Sequence, residues 1–264
     1  MTESLSIGIV TYNHGGVIEK TLRAALTGLP EGVRSRIWVL DNRSTDSSLE
    51  IAKACAARDP RVSVLENTGN EGFGRANNRI LQHVDSTYHV LLNPDVTLRP
   101  GALDTLVAFL RRSPDVAVVC PRVNFEDGQL QSLNRRYPTI VDLFLSRFMS
   151  GLTQQWSVRR MQRYRMEDVG YEHSCDVPFV SGAFMCCRTA VLRQVGAFDD
   201  RYFLYFEDVD LSRKIQQAGW RTMYCPDAVV THQWQRATHS SHLHMFHFCV
   251  SAMKYFNKWG WQVW

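Results

Sequence analysis

The chain has 264 residues, 45 % of them hydrophobic and 21 % charged, with a formal net charge of +4. That is an ordinary globular composition, long enough to bury a sizeable core, and it excludes a disordered or low-complexity chain. The positive excess is local: residues 135 to 165 hold Arg135, Arg136, Arg147, Arg159, Arg160, Arg163 and Arg165 against Asp142 alone. Such a segment suits an anionic partner (phosphate, lipid headgroup or nucleic acid) or a solvated basic face. It carries no nucleic-acid recognition motif, so no nucleic acid is expected as a partner. Seven cysteines without a C-x-x-C pair read as thiols in a reducing compartment. No secretory leader and no run of about 18 apolar residues is visible, so a cytoplasmic protein is expected, at most resting on a membrane surface.

In chain order, Leu5 to Val10 reads as a strand that ends in the polar cluster Thr11-Tyr12-Asn13-His14-Gly15-Gly16. Val17 to Leu26 has helical spacing. Arg36 to Leu40 is a second strand, ending at Asp41-Asn42-Arg43-Ser44-Thr45-Asp46, and Ser47 to Arg58 a helix. Val62 to Leu65 is followed by Asn67-Thr68-Gly69-Asn70-Glu71-Gly72-Phe73-Gly74 and a helix over Arg75 to Val84. Tyr88 to Leu92 is a strand stopped by Asn93-Pro94-Asp95; a helix over Leu103 to Arg112 and a strand over Val116 to Cys120 complete the series. Alternating strands and helices predict a mostly parallel α/β sheet with helices on both faces. Its ligands belong outside the carboxyl ends of the strands, where Asn13, Asp41, Asn70 and Asp95 would share one rim. After Pro121 the pattern breaks. A helix near Ile140 to Met149, strand-like residues over Val177 to Cys187, helices over Thr189 to Val195 and Asp208 to Ala218, and strands over Arg221 to Tyr224 and Ala228 to Thr231 can be assigned.

Several of these clusters could carry chemistry. Asp95, at a strand end, could hold a divalent cation against a diphosphate, although Asn-Pro-Asp is equally a good turn. Asp41 ends a strand, where a cap is not needed, and could accept the imide N–H of a pyrimidine. Asn70 to Gly74 opens a helix and could approach a phosphate or base. Glu207-Asp208-Val209-Asp210 places three carboxylates at a helix start; their mutual repulsion tends to raise a pKa toward that of a general base, while a capped, solvated helix start is the plain alternative. His232 ends an apolar run. His239, His242, His244 and His247 lack a common spacing and read as a surface cluster.

In this order the motifs resemble glycosyltransferase family 2, inverting nucleotide-sugar enzymes with the GT-A fold, and most closely the bacterial rhamnosyltransferases of O-antigen and cell-wall assembly. The likeness is carried by Ile9-Val10-Thr11-Tyr12-Asn13, Val39 to Asp46, Asn67 to Asn77, Leu91 to Asp95, Ser181-Gly182-Ala183 and Phe203 to Leu211. The resemblance implies that Thr11, Tyr12, Asn13, Asp41, Asn42, Asn70, Gly72, Asn77, Asn93 and Asp95 line the donor site. It implies that Asp95, with His232, holds Mg²⁺ or Mn²⁺; Asn93 stands where the family's first metal-motif aspartate is common. Asp208 would be the catalytic base, with Glu207 orienting the acceptor beside Ser181 and Gly182.

The organisation implied is a nucleotide-sugar half over 1–120, an acceptor and catalytic half over 121–235, and an aromatic tail over 236–264. The donor favoured is dTDP-L-rhamnose and the acceptor a lipid-linked glycan, at the inner face of a bacterial inner membrane. A UDP-sugar transferase of the same fold and a non-catalytic sugar-nucleotide-binding module are the alternatives. For the tail, the bilayer interface, the catalytic domain and a second subunit all stay open as contacts.

Overall fold

The structure is a computed structural model that describes residues 3–148, 154–233 and 242–264. Nine strands form one sheet. They are β1 (Ser4–Thr11), β2 (Arg34–Asp41), β3 (Val62–Glu66), β4 (Tyr88–Leu92), β5 (Val96–Leu98), β6 (Val116–Asn124), β7 (Cys175–Asp176), β8 (Phe184–Arg188) and β9 (Arg221–His232). The order is β3-β2-β1-β4-β8-β6-β9-β5, with β7 on the start of β9. β1 to β4, β6 and β9 run one way; β8 opposes β4 and β6, while β5 and β7 oppose β9. The mostly parallel sheet expected from the alternation is therefore present. It runs unbroken from the first half of the chain into the second, because β6 and β9 pair in parallel.

Helices cover both faces. On one lie α1 (Ile18–Thr27), α2 (Ser48–Arg58) and α4 (Ala102–Arg112); on the other α3 (Phe73–Gln82), α7 (Thr189–Gln194) and α8 (Glu207–Gln217). Strand alternation divides the core between them. Ile7, Ile9, Val90 and Leu92 pack with Ile18, Leu22, Leu103 and Leu106, whereas Val10, Leu91 and Met185 pack with Ala76, Ile80, Leu211 and Ile215. β1 is buried along its whole length, as an interior strand covered on both faces must be.

The second half departs from its sequence reading in identifiable ways. Residues 177–183 are not a strand; they form an irregular link between β7 and β8. The two strands expected over 221–231 are one, β9, carrying register irregularities. β5, with three residues, is too short to leave a periodicity. The helix α6 (Gln155–Tyr164) was invisible because its buried side chains are Ser157 and Tyr164. Residues 242–259 form the helix α9. With α5 (Ile140–Phe148) and α8 it builds a third cluster around Tyr202, Phe206, Val209, Tyr255 and Phe256. Residues 242–264 thus pack against α5 and α8 of the second half, one of the contacts the sequence left open. His244 Nδ1 meets the Tyr205 hydroxyl (2.8 Å) and His247 stacks on Phe203, while His239 lies outside the described residues.

Candidate active site

Parallel register sets the rim. Thr11 pairs with Asp41 and Asp41 with Glu66, so β1, β2 and β3 end side by side, and β4 delivers Asn93 next to them. Asn13 leaves β1 in the left-handed region (φ 60°), which Asn tolerates better than most residues. Its amide accepts the Thr45 N–H (2.8 Å) and its own N–H goes to the Ser44 hydroxyl (3.0 Å). The two loops are further stitched by Asp46, which accepts the Gly15 and Ser48 N–H groups (2.8 and 3.0 Å). Asp46 therefore has a structural role in joining the loops. Tyr12 is exposed at the edge of this pair of loops, and Thr11 is fully buried.

Asp41 is buried. One carboxylate oxygen accepts the Ser44 N–H (2.9 Å); the other, Oδ1, is buried with no hydrogen-bond partner. An orphaned acceptor at the ligand rim is what an N–H of an incoming base would satisfy. Beside it Asn42 donates to the Gly72 carbonyl (3.1 Å) and accepts from Asn67 (2.7 Å), and Asn70 accepts the Gly72 N–H (3.0 Å). Asn42 and Asn70 thus shape the glycine loop. Asn77 is buried in α3, and its amide N–H goes to the Phe73 carbonyl one turn back (3.0 Å).

Asn93-Pro94-Asp95 forms the turn between β4 and β5, closed by Val96 N–H to Asn93 O (3.2 Å). β5 then pairs with the end of β9, Val96 opposite His232, and this brings Asp95 Oδ2 to 3.3 Å from His232 Nε2. His232 Nδ1 is 2.9 Å from Gln131 Oε1. The amide oxygen can only accept, so Nδ1 carries a proton and this bond aims Nε2 at Asp95. One carboxylate oxygen and one imidazole nitrogen converging this way suit a divalent cation of the Mn²⁺ type. Among the described residues no set of three His, Cys, Asp or Glu side chains gathers, so a cation here would draw its other ligands from a diphosphate or water. His14 is close enough for the Asp95 and Asp46 charges to act on it; burial nevertheless pushes its imidazole below the usual value.

The acids stand across the rim. Tyr205 and Phe206 both have φ 67°, an uncommon conformation for aromatic residues, and the strained turn they make launches α8 with Glu207 and Asp208 in its first turn. The Gly182 N–H donates to Asp208 Oδ2 (2.9 Å), and the Asn93 N–H to the Ala183 carbonyl (3.1 Å). The Ser181-Gly182-Ala183 link therefore ties the Asp208 carboxylate to the Asn-Pro-Asp turn. Gly72 φ is 85° and a Cβ there would lie 2.0 Å from the Phe203 carbonyl oxygen, so the glycine loop presses on the turn that carries the acids. Burial raises both carboxyls above their ordinary values, and the Asp208 charge raises Glu207 further. The two environments differ. Asp208 accepts the N–H groups of Gly182 and Val209 and lies near the Arg135 charge, all of which favour its ionised form and oppose the effect of burial. Glu207 is buried with Oε2 unpartnered. The surroundings thus favour the neutral form of Glu207 more strongly than that of Asp208.

Asp210, the third acid of the run, does not face the rim. It is fully buried and accepts from Lys258 Nζ (2.9 Å), Trp259 Nε1 (2.7 Å) and the Tyr202 hydroxyl (3.3 Å), which clamps α9 to α8. Gln131, His14 and Arg135 were not singled out for the site from sequence; a lone Gln or His and one Arg among seven carry no spacing signal. Several arginines of the basic segment are engaged within the fold. Arg136 pairs with Asp168 (2.7 Å), Arg160 pairs with Asp142 (2.7 Å), Arg147 lies over the Phe248 ring, and Arg135 bonds the Ser132 and Asn134 carbonyls.

Residues 3–247 match the family described as "Glycosyltransferase like family 2". The N-acetylglucosaminyl-diphospho-decaprenol L-rhamnosyltransferase of Mycobacterium tuberculosis is 30 % identical over 263 residues, covering 94 % of this chain and 82 % of that protein. Rhamnosyltransferase WbbL of Escherichia coli is 25 % identical over 226 residues, 83 % of this chain and 79 % of WbbL. Among solved structures, the mannosyltransferase PcManGT of Pyrobaculum calidifontis, in complex with GDP-Man and Mn²⁺, superposes with a TM-score of 0.66 at 18 % identity. That match covers 97 % of this chain and 65 % of PcManGT. GalNAc-T7 with UDP, GalNAc and Mn²⁺ gives 0.66 at 16 % identity, covering 88 % of this chain and 43 % of that one. The chain thus spans less than two thirds of either solved protein, and the likeness to them is one of GT-A fold.

Proposed function

Because this chain belongs to glycosyltransferase family 2, we propose that it is a metal-dependent inverting transferase that moves L-rhamnose from dTDP-L-rhamnose to a hydroxyl of a lipid-linked glycan. The observation that carries the reading is the arrangement of Asp208: a half-buried carboxyl that accepts the Gly182 N–H and is joined through residues 181–183 to the turn bearing Asp95. Both rhamnosyltransferase relatives favour the sugar, and the decaprenol-linked acceptor named for the mycobacterial one favours a lipid-linked acceptor.

On this reading the base enters between the β1 and β2 loops, where the unpartnered Asp41 Oδ1 accepts its imide N–H and Thr11, Tyr12 and Asn13 flank it. Asn42 and Asn70 hold the glycine loop against the donor. Asp95 and His232 would hold the cation, and the imidazole ligand favours Mn²⁺ over Mg²⁺. When bound, that ion neutralises charge on the departing diphosphate. Asp208 takes the proton from the acceptor hydroxyl as the oxygen attacks the anomeric carbon from the side opposite the diphosphate. A single displacement inverts the configuration without a covalent sugar–enzyme intermediate. Glu207, protonated beside it, donates a hydrogen bond that orients the acceptor.

The test measures nucleoside diphosphate release from dTDP-rhamnose and a panel of UDP sugars, with a lipid-linked acceptor, in Mn²⁺ and in EDTA. Turnover of dTDP-rhamnose that stops with EDTA and in Asp208→Asn, while calorimetry still shows donor binding to that variant, is expected. Turnover of a UDP sugar alone would overturn the donor assignment. Donor binding without turnover would make the protein a binding module, and full activity of Asp208→Asn would remove the base.

A further inference from the structure

We infer that the outer face of α9, together with α6 and the residues after Gly260, docks on an anionic lipid bilayer. α9 is apolar on two sides. Its inner side is filled: Tyr255 and Phe256 are buried in the third cluster, the Ser251 hydroxyl donates to the Leu204 carbonyl (2.8 Å), and Lys258 and Trp259 are tied to Asp210. The helix therefore cannot roll to bury its other side. There Leu243, Phe246, Cys249 and Met253, spaced three or four residues apart on one stripe, are exposed, Phe246 to 61 %. Single exposed apolar residues need no explanation, but a continuous stripe of large ones does.

Further exposed aromatic and basic side chains lie on the elements around α5 and α6. The N–H groups of Ile140 and Val141 donate to the carbonyls of Gln262 and Val263 (2.9 and 3.2 Å), which lays the following residues across the start of α5. Trp264, 76 % exposed, lies under the Arg160 guanidinium, and α6 presents Trp156, Arg159 and Arg163 to solvent at helical spacing.

Charge selects the occupant. Residues 242–264 contain no Asp or Glu. Asp142 is spent on Arg160, and Asp168, which with Glu167 follows the end of α6, is spent on Arg136. A surface of large apolar side chains, tryptophans and arginines, with Asp142 and Asp168 paired and Glu167 the acid left exposed beside it, matches the headgroup boundary of an anionic membrane. A second copy meeting this face about a two-fold axis would set arginines against arginines. A nucleic-acid backbone offers nothing to Leu243, Phe246 and Met253.

The experiment is sedimentation of the full-length protein with vesicles of phosphatidylglycerol and phosphatidylcholine, or of phosphatidylcholine alone, in low and high salt. It needs no donor sugar, so its result is independent of whether the transferase assignment holds. Binding to the anionic vesicles is expected, weakened by salt. Phe246→Ser with Met253→Ser should lower it about tenfold or more, and Arg159→Gln with Arg163→Gln about thirtyfold. Both double variants alter exposed side chains and should keep the wild-type circular dichroism and melting temperature. Absence of binding to anionic vesicles, or binding that neither double variant changes, overturns the proposal. A dimer in sedimentation velocity that Phe246→Ser with Met253→Ser dissociates, without vesicle binding, assigns the face to a second copy instead.

Discussion

Gly72 is the point where the donor-side loop and the acid-bearing turn touch, and Gly72→Ala tests how tightly that contact sets the site. The backbone there (φ 85°, ψ 178°) lies in a region reserved for glycine, where a Cβ costs about 1–3 kcal/mol. The new methyl would also sit 2.0 Å from the Phe203 carbonyl oxygen and 2.8 Å from its carbon. Both are backbone atoms, so no side-chain rotation relieves the clash, and the two loops must part by about 1 Å to restore van der Waals contact. Gly128→Ala is the control. Its φ is 84° but a Cβ there meets nothing within 4 Å, so it carries the conformational cost alone.

Gly72→Ala should destabilise by about 3 kcal/mol or more, roughly 6–12 °C in Tm for a chain of this size, and Gly128→Ala by about 1–2 kcal/mol. Phe203 precedes Glu207 and Asp208 by one tight turn, so a displacement of this size should also lower kcat by about a hundredfold, whereas Gly128→Ala leaves it unchanged. Calorimetric melting and nucleoside diphosphate release measure the two effects. If both variants melt together and turn over alike, the Gly72–Phe203 contact does not position the acids.

The pH response of the acid pair has a definite sign. Glu207 has a raised folded-state pKa, so the folded form binds more protons than the unfolded one; this stability is present below the ordinary carboxylate range and is lost as pH rises through the raised value. Glu207→Gln should therefore melt above wild type at pH 8 and approach it near pH 5, with about 3–5 °C for each tenfold change in proton affinity removed. Gln131→Leu should leave the fold intact but free the His232 ring, weakening Mn²⁺ activation about 10- to 100-fold in a metal titration; unchanged activation would place the cation elsewhere. Asp210→Ala removes the buried acceptor shared by Lys258, Trp259 and Tyr202, leaving Lys258 only Asp199 (2.8 Å), and should cost about 3 kcal/mol in chemical denaturation; a loss below 1 kcal/mol would show that the Asp210 clamp does not hold α9.

The first half of the chain was legible because its signals are local. Leu5 to Val10 or Tyr88 to Leu92 each bury on both sides and stop at a polar cluster, and strand ends in such a sheet face the ligand. Asp41 could be flagged as more than a cap from its place at the end of a strand, and its orphaned oxygen gives that reading a physical cause. The second half was less legible because its partners are remote. Nothing near Asp210 tells it apart from Asp208; what differs is Lys258 and Trp259. His232 meets Asp95 only because a three-residue strand pairs with the end of β9, and Gln131 enters across 101 residues of chain. The basic segment is the converse case. Its charges are plain in sequence, but the partners that occupy several of them, Asp168, Asp142 and the Phe248 ring, are visible only in three dimensions.

The clamp on Asp210 also bears on the order in which the molecule can be assembled. The helix that carries Glu207 and Asp208 is anchored by a lysine 48 positions downstream of Asp210. During synthesis the sheet, the Asp41 loop and the Asn-Pro-Asp turn can all form from residues already made. α8 cannot be locked until the chain has grown past Trp259. The rim built by the first half is thus available early, whereas the turn of α8 that bears Glu207 and Asp208 is fixed in place late, once α9 closes on it.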